Sequence, residues 1–327
     1  MALLCARLAL RILVSIALIG SNLFAAESWI RLCSPNFDLY SSLSKKRSMA
    51  LLTRLENARL ALAHFSIYAG ANTQPMRVIA FRSEREYRPY SSDAGSTAYF
   101  LHSAQRDYIV LNADSDDADT AVVHEYAHYL LHQQFHHLPR WLDEGLADLY
   151  STVEEKDGIA CVGLPVDDRM ESLRFDGLAY DLPALFHIEP NDLVNMRKTS
   201  RRTRFYAESW ALAHMLRFSL DYYQGFNDFM HEIEQGATSR QALWNVFHKS
   251  EADVRQDLER YIEAGHLRNE GWKVEESHFD LSYQAYSISP ANSSEILDDL
   301  LFALGRPNYS ARSASTGSTD AARRAGM

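Results

Sequence analysis

Residues 121–131 read AVVHEYAHYLL: two histidines four apart, a glutamate after the first, all inside an apolar run. A four-residue step puts His124 and His128 on one helical face, about one turn apart. Polar groups in a core-like helix cost stability unless they have a partner. Two imidazoles on one face can reach a single zinc ion, and Glu125, beside the first, can face a water on that ion. A catalytic zinc needs a third protein ligand and one open position. Downstream, WLDEGLADLY (141–150) supplies Glu144 and Asp148, again four apart. One carboxylate could bind the metal while the other accepts the remaining N–H of a ligand histidine and fixes its tautomer. Gly145 weakens a helix and makes sense if two helices must approach closely there.

His132 and His136 continue the four-residue step. His132 is about 12 Å along the axis from His124, too far for a third bond of about 2 Å to the same ion. With His137 they read as rim histidines. Tyr126 and His214 read as core residues. Two other readings of the motif stand beside the catalytic one. The histidines could be hydrogen-bonded core residues with Glu125 in a salt bridge, or the fold could bind zinc without cleaving anything.

These residues need a frame. Strands are expected over 36–42, 75–81, 96–103 and 106–114, with SAQRD as the turn between the last two. A helix is expected from Ser44 to about Phe65, with Leu52, Leu55, Leu62 and Phe65 near one face. The acidic SDDAD (115–119) suits the positive end of the motif helix, and Pro139 suits the start of the next one. Residues 163–190 are mixed. Beyond them FYAESWALAHMLRFSL, GFNDFMHEIEQ, SRQALWNVFHK and EADVRQDLERYIEAG are amphipathic helical segments, HFDLSYQAYSIS suggests strand, and SEILDDLLFALG suggests a last helix. The class is α+β: an α/β N-terminal half carrying the motif helix, then a mostly helical half. The divisions are a leader over 1–26, an α/β subdomain with the metal site over 27–160, a helical subdomain over 161–270, a C-terminal extension over 271–305 and a disordered tail over 306–327. RKTSRRTR (197–204) reads as a solvated basic loop, with contact to an acidic substrate or a membrane surface as the alternative.

HEYAH followed by LPRWLDEGLADLY resembles the gluzincin metallopeptidases, the thermolysin-like clan, and is closest to a bacterial peptidase-MA-like family of uncharacterised proteins. The likeness runs from SPNFDLYSS to FYAESWALAHML, covering roughly residues 28 to 265. It implies a zincin-like fold. It implies Glu144 as the third zinc ligand and Asp148 as the acceptor behind a ligand histidine. It places FYAESWALAHML beside the zinc helices, which makes Tyr206 the candidate oxyanion donor. It also implies that an edge strand near 107–112 lines the cleft, with a plain structural strand as the ordinary reading of the same residues. The metzincin third histidine is absent, because Gln134 holds its position. Fifteen residues separate His128 from Glu144, fewer than in thermolysin, so subsite geometry does not carry over.

The implied activity is a zinc-dependent peptidase with a peptide or protein substrate and Glu125 as general base. The alternatives are a zinc amidase acting on a non-protein amide and a catalytically silent envelope scaffold that binds a partner. The net charge of −10 gives no global basic field for nucleic acid. The first 26 residues carry two arginines, an apolar run and AAES, which reads as a secretory signal peptide or an inner-membrane anchor. A periplasmic or secreted bacterial protein is therefore expected, with membrane association only through that segment. Such a compartment permits a Cys33–Cys161 disulfide without establishing one. Oligomeric state is not legible.

Overall fold

The structure is a computed structural model that describes residues 29–64, 74–91, 96–156, 158–196, 200–265, 267–273 and 283–306. The expected leader (1–26) and most of the expected tail (from 307) lie outside the described residues. Among the described residues, no helix is long and apolar enough to cross a membrane.

The chain is a mixed α/β protein built on a mixed six-stranded sheet. Its strands are β1 (Ile30–Cys33), β2 (Phe37–Ser41), β3 (Met76–Phe81), β4 (Ala98–Leu101), β5 (Tyr108–Asn112) and, from the far C-terminal side, β9 (Gln284–Ser287), in the order β4-β5-β3-β2-β1-β9. β2, β3 and β5 run parallel, while β4, β1 and β9 pair antiparallel with their neighbours. The runs RVIAF and YIVL are apolar almost throughout because both faces of the sheet are covered. Side chains alternate between two cores. Met76, Val78, Ala80, Ile109 and Leu111 face the larger one. Ile79, Phe81, Tyr108 and Val110 face the smaller one, which Leu300 of the C-terminal helix closes.

The larger core is capped by α1 (Lys45–His64) and α2 (Ala118–Gln134), the helix that carries the histidine motif. Next comes α3 (Arg140–Ser151), whose N-cap is Pro139, then a hairpin of β6 (Glu154–Lys156) and β7 (Ile159–Val162). α4 (Asp167–Asp176), α5 (Ser200–Phe218), α6 (Phe226–Glu234), α7 (Ser239–Phe247) and α8 (Glu251–Ala264) form the helical half. β8 (Glu270–Lys273) returns to β7, and α9 (Pro290–Ala303) covers the second sheet face. One buried cluster runs from Leu32 through the motif helix to Leu258. Tyr126 and His214 are buried in it, His214 bridging Tyr261 Oη at 2.8 Å and the Gly163 carbonyl oxygen at 2.9 Å. Cys33 and Cys161 are free thiols on separate sheets.

Two expectations are corrected. Among the described residues β5 lies between β3 and β4, so both its edges are paired and it is the plain structural strand; the edge on this side of the sheet is β4, with β9 at the opposite one. The described part of the basic run, Ser200 to Arg204, is the first turn of α5 rather than a loop.

α3 packs along α5, and Gly145 sets how closely. A Cβ there would stand 2.9 Å from Ala213 Cβ and nearer still to the Ser209 carbonyl oxygen. Backbone cannot retreat cheaply, so Gly145→Ala is expected to destabilise the fold by about 1–3 kcal/mol, measured by urea unfolding. An unchanged midpoint would mean that the two helices are not in contact at this point.

Candidate metal centre

α2 presents His124 and His128 on one face, and the first turns of α3 present Asp143, Glu144 and Asp148 toward them. Glu144, Asp143 and Asp148 are 2 %, 4 % and 5 % exposed. His124 Nε2 and His128 Nε2 are 3.0 Å apart. Glu144 Oε2 stands 3.3 Å from the first and 3.5 Å from the second. The structure therefore brings the three expected ligand groups together, as a set that could hold a metal ion.

The other side of each ring decides what the three atoms need. His124 Nδ1 faces Asp148 Oδ1 at 2.9 Å. His128 Nδ1 faces Asp143 Oδ1 at 2.8 Å. A carboxylate only accepts, so each Nδ1 carries the proton and each neutral ring turns a bare lone pair from Nε2 toward its partner. Two imidazole lone pairs and a carboxylate oxygen then converge with no donor among them. Such a triangle is repulsive unless a cation sits in it. Where no metal does, protons must. Burial opposes charge on His124, but hydrogen bonds to Asp148 and Glu144 outweigh it and lift its pKa to about 9. Burial also opposes charge on His128, and Asp143 and Glu144 hold it well above the usual range. Protons and metal therefore compete for the same lone pairs.

A second group, His128, His132 and Asp143, has metal-like proximity too. It needs no ion. His128 Nδ1 and His132 Nε2, at 2.8 and 3.1 Å, both meet the same Asp143 oxygen as donors. His132 thus stays on the rim, 44 % exposed, but buttresses Asp143. His136 is also exposed and pairs with Glu234 at 3.0 Å.

Two arginines neutralise the acids. Arg140 reaches Glu144 Oε1 with one nitrogen and Asp143 Oδ2 at 3.2 Å with another. Arg169, on α4, holds Asp148 Oδ2 at 2.7 Å. Burial works against ionising Glu144 and Asp148, yet Arg140 and Arg169 with the histidines keep both below the usual carboxylate range. Because Arg140 occupies Oε1, Glu144 offers the triangle one oxygen only.

Glu125 points elsewhere. Its Oε2 accepts from the Phe100 backbone N–H at 2.7 Å. The Thr97 carbonyl oxygen bonds Asn112 N, so alternate residues 97, 99 and 101 face β5, and Phe100 N–H belongs to the free edge. The motif glutamate is thus tied to the edge strand beside the triangle of acceptor atoms. His124, the ring next to Glu125 in sequence, is the more exposed of the two, 15 % against 8 % for His128. Tyr206, half-buried on α5, lies under Arg169, whose Cζ is 5.1 Å from its ring centre. Burial, and then the charge of Glu144, push its hydroxyl pKa up, so it stays protonated as a donor.

Asp143, Arg140 and Arg169 are the residues that sequence reading missed. Asp143 had a signal, since it sits fifteen positions after His128 in the helix that bears Glu144. Arg169 had none, lying in the segment without clear periodicity.

If Asp143 fixes the His128 tautomer, Asp143→Asn should weaken metal binding about 10–100-fold, read by chelator competition. Unchanged affinity in a folded variant would remove Asp143 from the site.

No family model matches the chain, and no curated protein matches it, so a functional reading rests on this geometry.

Proposed function

We propose that the chain is a zinc-dependent peptidase of the gluzincin type, with His124, His128 and Glu144 as zinc ligands. The observation that carries the reading is the triangle of three acceptor atoms with edges of 3.0, 3.3 and 3.5 Å. Ligands about 2.0–2.1 Å from a tetrahedral ion stand about 3.3 Å from one another, so the triangle has the size of one face of a zinc tetrahedron. Nitrogen, nitrogen and carboxylate oxygen are also the donor set of a catalytic site with a fourth position open. The mixed sheet with an antiparallel edge strand beside the motif helix agrees with a zincin-like fold.

A zinc ion held there would lower the pKa of a bound water toward 7 and polarise the scissile carbonyl. The remaining work falls to side chains. Glu125 takes the proton of the attacking water and delivers it to the leaving amine. Tyr206, kept protonated, donates to the oxygen that becomes negative. Asp148 and Asp143 hold the two imidazoles in the tautomer that leaves Nε2 free. The outward groups of β4 are the ones an extended peptide could pair with, which favours a peptide or protein substrate. With the leader-like first 26 residues, the proposed location is the periplasm or the exterior of a bacterial cell.

Glu125→Gln keeps the shape and the bond to Phe100 N–H but cannot take a proton. It is expected to lower peptide hydrolysis by at least about a hundredfold with zinc retained. Turnover at the wild-type rate would remove Glu125 as the base.

A further inference from the structure

The sheet edge beside the site is covered by the chain's own side chains. Residues 98 and 100 of β4 turn their backbone groups away from β5, as the bond from Asn112 N–H to the Thr97 carbonyl oxygen and the strand register require. Two of those outward groups are taken. The Ser96 hydroxyl donates to the Ala98 carbonyl oxygen. Glu125 Oε2 accepts the Phe100 N–H at 2.7 Å. A carboxylate on an amide N–H makes a charge-assisted bond, stronger than the one a neutral carbonyl makes there. Groups that occupy an edge in this way keep other strands off it.

Phe100 has one N–H, and two acceptors claim it. Outward groups recur at every second residue, so β4 (Ala98–Leu101) offers Ala98 and Phe100 alone. An extended peptide laid along β4 needs the Phe100 N–H for one of its own carbonyl oxygens. Glu125 must let go when such a peptide pairs. The coupling is reciprocal: the peptide frees the carboxylate, and the carboxylate opposes the peptide.

We propose that Glu125 and the Phe100 N–H form a latch, which an extended substrate backbone opens by taking the N–H and so frees Glu125 to act on the attacking water. This rests on the zinc-peptidase reading above. A substrate too short to reach β4 leaves the carboxylate on Phe100. The latch therefore selects extended chains over short ones, and Phe100 determines specificity through its main chain rather than its ring.

Thiol ligands test this by calorimetry on zinc-loaded protein under reducing conditions. A thiolate takes the open zinc position and offers Glu125 no hydrogen, so the zinc-binding group does not itself draw the carboxylate off Phe100. Mercaptoacetyl-Ala-Ala-Ala-amide extends to one side of the ion, and acetyl-Ala-Ala-Ala-cysteamide to the other. Mercaptoacetamide and N-acetylcysteamine are their short partners. The quantity read is the preference for long over short within each pair, where thiol and charge cancel. In Glu125→Ala it should rise about tenfold for at least one pair, because the tail no longer competes for the N–H. Proline is tolerated on an edge strand where its missing N–H faces outward, so Phe100→Pro removes the contested donor. In that background Glu125→Ala should give no rise. The Phe100 amide proton, in wild-type protein labelled with 15N-phenylalanine, gives the same answer without the proline variant. It should move upfield with the long thiol of that pair and not with the short one. An unchanged preference in Glu125→Ala for both pairs would overturn the latch alone. A rise that persists in Phe100→Pro, or an amide proton that answers long and short thiols alike, would do the same. Absence of both zinc and thiol binding would overturn the zinc reading and the latch with it.

Discussion

Three acceptor atoms facing one another, with no proton donor between them, is the constraint on which the site depends. It arises because Asp143 and Asp148 claim the Nδ1 protons and so aim two bare Nε2 atoms at Glu144. The rest of the local structure serves that arrangement. Asp143, Glu144 and Asp148 are nearly buried, so each needs a counter-charge, and Arg140 and Arg169 supply it from outside the triangle. α3 must sit close enough to α2 for its carboxylates to reach, while α5 presses on its other side. Gly145 permits that approach by having no side chain where Ser209 and Ala213 lie.

The sheet sets the second half of the geometry. β4 is an edge strand, and the outward N–H of Phe100 holds Glu125. The proposed base is therefore fixed to the strand along which an extended substrate would lie. The Phe100 ring also packs against Tyr129 and His132, which ties β4 to the exposed face of the motif helix. The proposed base, ligands and edge strand are one mechanical unit. Sheet and helix cannot shift independently without breaking the Glu125 contact.

Much of this was legible from local pattern. The four-residue steps His124–His128 and Glu144–Asp148 report a shared helical face, and that property needs no tertiary information. The parallel strands were visible from pattern, β2 as an alternating run and β3 and β5 as apolar runs, but whether β5 was an edge or an interior strand was left open. Strand order is set by pairing partners far apart in sequence, and nothing in RDYIVLNAD says which neighbours flank it. Arg169 was invisible for the same reason: its role exists only because α4 packs beside α5 and Asp148. The closing of the smaller core by Leu300 likewise depends on a contact across most of the chain. The basic run was misread because arginines at a helix start defy the usual dipole preference, and propensity rules favour a loop there.

The most direct test of the central claim is the metal content of the purified chain, by elemental analysis, beside a His128→Ala control. About one zinc per chain, lost in the control, is the result the converging lone pairs require. Absence of zinc from both, even after incubation with zinc at neutral pH, would contradict it and leave His124 and His128 as proton-sharing core residues.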